Sequence, residues 1–186
     1  MNDLVPDKLV LAARRQWRWT GTERPPFAEQ TEAGPNSKQE SVWDYPRPPR
    51  IERVSSRLKV LSGDSVLAET TGGCRVLETS HPPTYYFPPD HVDHAQILVS
   101  PRQTHCEWKG LSNNVVLVNG TTVGWTLQES YPEFRPLKGW YAFYPDGLAC
   151  FVDDVRVVPQ DGPYYGGWVT PQIVGPMKGA PGSQSW

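Results

Sequence analysis

The chain has 186 residues, with 18 Lys/Arg against 20 Asp/Glu for a net charge of −2, and no apolar run near the roughly 18 residues a membrane helix needs. That balance gives no broad field for phosphates, so nucleic acid is disfavoured as a partner and no membrane partner is expected. Hydrophobic content of 38%, with 20 prolines and 16 glycines, points to short strands and many turns, in a chain long enough to bury about 70% of its unfolded surface without a metal or disulfide.

The first segment carries acidic Asp3 and Asp7 and no apolar leader pattern, which together with the cysteine count below sets the expectation of a cytoplasmic protein. Leu9, Ala12, Ala13 and Trp17 recur at helical spacing and Asp7 can cap the start, so one short amphipathic helix is predicted before Thr20-Gly21. Thr22 to Lys38 reads as linker. Residues 1–38 are therefore expected to form an appendage and residues 39–186 the domain proper.

From Arg57 the texture changes to short β-prone runs between turn signals: Leu58 to Leu61, Val66 to Glu69, Cys74 to Thr79, Ile97 to Val99, Cys106 to Trp108 and Val115 to Val118. Asn119-Gly120 is the strongest hairpin signal in the chain, with Val123 to Leu127 as its return strand. Trp140 to Tyr144 and Cys150 to Val152 follow, then a turn at Asp153-Asp154 and the strand Val155 to Val158. So many short strands must close or stack their sheets, because open edges invite aggregation. The fold class expected is all-β.

Cys74, Cys106 and Cys150 are an odd number at wide spacings, a poor disulfide framework and a sign of free thiols in a reducing compartment. A strand over Thr104 to Lys109 would turn Cys106 and Trp108 to one face, where they read as core, and His105, Glu107 and Lys109 to the other. The same alternation over Cys74 to Thr79 sets Cys74, Val76 and Glu78 against Arg75, Leu77 and Thr79. His91-x-x-His94 is the nearest approach to a zinc pattern, and it is too sparse: no metal and no cofactor are expected. The proline-rich run from His81 to Pro89 is excluded from a central strand and must be an edge or a rigid loop, suited to presenting its two tyrosines, Tyr85 and Tyr86, and His81 at a binding rim or to plugging the sheet end with Tyr85 and Phe87. Tyr164-Tyr-Gly-Gly-Trp and the tail to Trp186 are too aromatic for disorder and are expected to pack across the domain, with Trp168 in a pocket wall or a cover.

The run Cys74-Arg-Val-Leu-Glu-Thr-Ser-His-Pro-Pro-Thr-Tyr-Tyr-Phe-Pro-Pro, followed by Cys106-Glu-Trp-Lys-Gly, resembles the bacterial family catalogued as domain of unknown function 427 (DUF427), sometimes labelled nucleotidyltransferase-like. Glu40-Ser-Val-Trp-Asp-Tyr-Pro-Arg-Pro-Pro and Tyr165-Gly-Gly-Trp extend the resemblance over roughly Glu23 to Trp186. It implies a β-tent-like fold, two antiparallel sheets meeting at an angle, related in shape to methionine sulfoxide reductase B and the ligand-binding domain of cereblon. The nucleotidyltransferase label asks for closely spaced metal-holding acids and a phosphate cradle. The only adjacent acids, Asp153-Asp154, sit at an apparent turn.

Three functional readings follow from the residues. The first is a small-ligand-binding domain for a polar planar ligand such as a nucleobase or nucleoside, with Arg75, Glu78, His81, Tyr85, Tyr86, Glu107, Lys109 and Trp168 as binding candidates. The second is an enzyme with Glu78 or Glu107 as general base. The third is an interaction module docking a protein partner through Trp17 and Trp19 among Arg14, Arg15 and Arg18.

Overall fold

The structure is a computed structural model, and it describes residues 4–31 and 38–186, with the side chains of residues 29–31 left out. The expected linker therefore lies partly outside the described residues. In chain order the elements are α1 (Lys8–Arg15), β1 (Glu40–Ser41), β2 (Arg50–Arg53), β3 (Leu58–Ser62), β4 (Ser65–Thr70), β5 (Cys74–Leu77), β6 (Thr84–Tyr86) and β7 (Ile97–Cys106). Then come β8 (Gly110–Leu117), β9 (Thr122–Ser130), β10 (Tyr141–Phe143), β11 (Ala149–Val152), β12 (Val155–Arg156), β13 (Val158–Pro159), β14 (Trp168–Val169) and β15 (Ile173–Val174). The fold is all-β with one short helix.

Two four-stranded antiparallel sheets dominate, ordered β10-β9-β8-β7 and β12-β11-β3-β4. Leu58, Val60, Leu67 and Ala68 of the second meet Val115, Val123, Tyr141 and Phe143 of the first in one buried cluster, so the main core lies between them. A three-stranded sheet, β2-β5-β6, is added to this pair. There the proline-flanked strand β6 takes the edge, as its missing N–H groups require. Phe87 continues it, exchanging backbone hydrogen bonds with Tyr141 at 2.8 and 3.0 Å and tying the small sheet to β10.

Local chemistry explains the joints. Asp7 caps α1 by accepting from Val10 N at 2.9 Å. The inward side is met only in part: Ala13 and Trp17 are half-buried as expected, but Val10 is the buried residue while Ala12 is exposed and Leu9 is 79% exposed. Asn119-Gly120 closes the β8–β9 hairpin with Gly120 at φ +90. At Asp153-Asp154 the turn is held by Arg57, whose backbone N–H donates to Asp153 Oδ1 at 2.9 Å, so these acids serve the hairpin.

The tail crosses the domain. β14 buries Trp168 completely, β15 pairs in parallel with β1, and Trp186 stacks on Phe27 at 4.8 Å between ring centroids. Trp17 and Trp19 are turned into the molecule instead of outward. Arg47 and Lys178 lie over the Trp17 ring at 4.8 and 3.8 Å, and Trp19 packs on the cluster around Trp43.

Candidate functional site

One correction to the sequence reading creates the site. β7 ends at Cys106, and Glu107, Trp108 and Lys109 form a three-residue turn closed by the pair Cys106↔Gly110. Gly110 is at φ +116, and a Cβ there would meet Glu129 O at 2.2 Å, so only glycine fits. Without strand geometry the side chains do not alternate. Cys106, Glu107, Trp108 and Lys109 all line the same cavity, of about 590 Å³.

The strand β5 obeys the alternation, and this separates Arg75 from Glu78. Val76 and Glu78 face the cavity, whereas Arg75 lies on the other side, bonding Glu40 Oε1 at 3.0 Å and Glu52 Oε2 at 2.9 Å. Those two carboxylates raise the Arg75 pKa although burial works against them, so Arg75 is held as an ion in a structural network. Three more candidates do not line the cavity. Tyr85 and Trp168 belong to the main core, their rings 5.0 Å apart, because β6 turns Tyr85 inward and Trp168 Nε1–H is spent on Phe143 O at 3.0 Å. Tyr86 is fully buried, its hydroxyl accepting from Trp125 Nε1 at 3.2 Å.

Glu78, His81, Glu107 and Lys109 are brought together. Joining them are residues the sequence reading missed: Trp125 from β9, Tyr144 just beyond β10, and Tyr165 and Gln160 from the tail. Trp125 and Tyr144 stand 4.9 Å apart between centroids. The tail passes close over the indole at Gly166, where a Cβ would lie 2.4 Å from Trp125 Cη2.

Both carboxylates have one oxygen engaged. Glu78 Oε1 accepts from Arg47 Nε at 3.1 Å, and Arg47 also donates to Trp19 O at 3.0 Å and Thr79 O at 2.8 Å. Glu107 Oε1 accepts from Trp17 Nε1 at 3.0 Å, while Arg14 Nε donates to the Glu107 backbone carbonyl at 2.6 Å. The N-terminal segment thus pins the turn that carries Glu107, Trp108 and Lys109.

The titratable groups sort into distinct states. Burial pushes the Cys106 thiol up, with Lys109 only partly offsetting it, which works against a thiolate. Burial works against the Lys109 ammonium, but the groups around it, the Glu78 and Glu107 carboxylates among them, outweigh burial and raise its pKa. His81 is pushed down to about 3 by burial and by Lys178, Arg47 and Lys109; it accepts at Nδ1 from Gln160 Nε2 at 3.1 Å, as a neutral ring does. Lys178, outside the cavity, is lowered to about 8 by burial and Arg47.

The His81 shift has a measurable consequence. Because folding favours the neutral ring, the unfolded chain takes up a proton below about pH 6.5 that the folded chain refuses until about pH 3. Stability is expected to fall with pH across that window, and His81→Gln should flatten the slope in denaturant titrations. An unchanged slope would refute the buried neutral histidine.

No zinc pattern is assembled around His91 and His94: His91 Nδ1 bonds Thr70 Oγ1 at 2.6 Å, and His94 Nε2 bonds Pro89 O at 2.9 Å. Among the described residues no three His, Cys, Asp or Glu groups converge as metal ligands, and no helix is long and apolar enough to cross a membrane.

The fold and cavity define a class, an all-β domain with an aromatic-walled, charged cavity beside a hairpin turn. Residues 50–157 match the family described as Domain of unknown function (DUF427), and since they make up more than half of the chain, the protein belongs to that family. No curated protein matches the chain. The matched span holds Glu78, His81, Glu107, Lys109, Trp125 and Tyr144, whereas Arg47, Gln160 and Tyr165 lie outside it.

Proposed function

We propose that this protein binds a small polar ligand with a planar part, such as a nucleobase or nucleoside, in the cavity between the Cys106–Gly110 turn and the tail. The observation that carries this reading is a cavity of about 590 Å³ walled by Trp125, Tyr144 and Tyr165, with Lys109, Glu78 and Glu107 in its lining. Aromatic walls supply a stacking platform that contributes about 1–3 kcal/mol per base, and a few polar groups fix orientation. The oxygens of Glu78 and Glu107 that accept no hydrogen bond among the described residues suit exocyclic amines or ring N–H groups. An enzymatic role for either carboxylate is the weaker reading, because each is already held by a protein donor.

Titration with adenosine, guanosine, cytidine and uridine tests the proposal. At least one should quench tryptophan fluorescence, since Trp108 and Trp125 line the cavity, and raise the melting temperature. Both responses should weaken with Glu107→Gln, Lys109→Ala and Trp125→Ala. If the whole panel leaves wild-type fluorescence and melting unchanged, the nucleoside reading fails; if the variants bind as wild type does, the cavity is the wrong place.

A further inference from the structure

The cavity contains donors that lack acceptors. Lys109 is half-buried in its lining, and among the described residues its ammonium makes no hydrogen bond and no ion pair. Tyr144 also lines the cavity, and its hydroxyl likewise has no hydrogen-bond partner among the described residues. Lys109 and Tyr144 thus share one cavity, where burial pushes the Tyr144 phenol up and the Lys109 charge works against it. Trp108, also in the lining and 6% exposed, has a buried indole N–H with no acceptor among the described residues.

An ammonium drawn away from bulk water without an acceptor keeps unused hydrogen-bond donors, even where distant carboxylates offset its charge. The carboxylates facing the cavity do not cancel the ammonium at contact distance: Glu78 is paired with Arg47, and Glu107 is held by Trp17. Exposed Arg102 adds a second cation to the lining.

We infer that the ligand carries an anionic acceptor, a carboxylate or a phosphate, which Lys109 and Tyr144 hold while the aromatic rings take the planar part. This deepens the binding reading above and rests on it. An ammonium and a phenol converging on one oxyanion form charge-assisted hydrogen bonds, the strong kind, and they form in a cavity that partly excludes water. Discrimination would then come from charge as well as from ring shape.

Matched pairs of probes test the inference: adenosine against adenosine monophosphate, and tryptophol against indoleacetate, each titrated at fixed ionic strength, with acetate and inorganic phosphate alone as small anions. In at least one pair the anionic member should bind about ten- to hundredfold tighter than its neutral counterpart, the range a charge-assisted hydrogen bond contributes. Whichever pair shows the preference separates phosphate from carboxylate. The preference should survive Lys109→Arg and vanish in Lys109→Gln, with melting curves confirming that both fold. Should Lys109→Gln not fold, Tyr144→Phe carries the test, since loss of its hydroxyl must reduce the preference. Equal binding of neutral and anionic members overturns the anion inference and leaves the planar-ligand reading standing. A response to acetate or phosphate that needs Lys109, without binding of either aromatic scaffold, overturns the planar reading and leaves the anion inference standing. Silence from every probe overturns both.

Discussion

Arg47→Ala should lower stability by about 3–5 kcal/mol, the cost of breaking a buried ion pair by removing one partner. The Arg47 side chain is 1% exposed, and it binds Glu78 Oε1, Trp19 O and Thr79 O at once while lying 4.8 Å from the centroid of the Trp17 ring. Its removal strands the Glu78 carboxylate, two carbonyls and an indole face together. Much of the loss is the stranded charge, so Arg47→Ala with Glu78→Gln should recover part of it, and Arg47→Met, which keeps the stem, should lie between. Denaturant unfolding measures all four proteins. A loss below about 1 kcal/mol for Arg47→Ala would mean that the pair is solvated and that the N-terminal segment is not anchored through it.

Trp168→Ala should also cost about 3–5 kcal/mol. The ring is completely buried, packs 5.0 Å from Tyr85 and 6.0 Å from Phe87 between centroids, and donates its indole N–H to Phe143 O at 3.0 Å. Alanine would leave a cavity in the main core and an unpaired buried carbonyl. Trp168→Phe should cost less, because it retains a ring and loses chiefly the hydrogen bond. Equal losses for the two variants would show that the hydrogen bond, and not the packing, fastens the tail. If Trp168→Ala instead melts within about 1 kcal/mol of wild type, the tail is a surface strap and Gly166 does not hold it close over Trp125.

The sequence and the structure agree wherever the physics is local. The hairpin at Asn119-Gly120 was legible because Gly120 needs positive φ and Asn119 Oδ1 accepts from Thr121 N at 3.0 Å, both within the turn itself. The edge position of Thr84 to Tyr86 followed from the prolines around it, and the Asp7 cap from its place before the helix. The separation of Arg75 from Glu78 is implicit in the period-2 alternation that β5 obeys, which sets the two side chains on opposite faces.

Agreement fails at Cys106 to Lys109. The run looks like a strand by composition, yet Gly110 at positive φ reverses the chain, and a turn frees Glu107, Trp108 and Lys109 from alternation. Composition and turn chemistry act over two to four residues, and that is why the all-β class, the main hairpins and the rigid edge could be determined by the sequence itself. The cavity is made by pieces far apart in the chain: a turn at 107–109, rings from 125, 144 and 165, and an N-terminal indole holding Glu107. Sheet pairing and the buried path of the tail bring them together, and no local period encodes such long-range contacts, so only the tertiary structure decided which aromatic rings and which charges face one another.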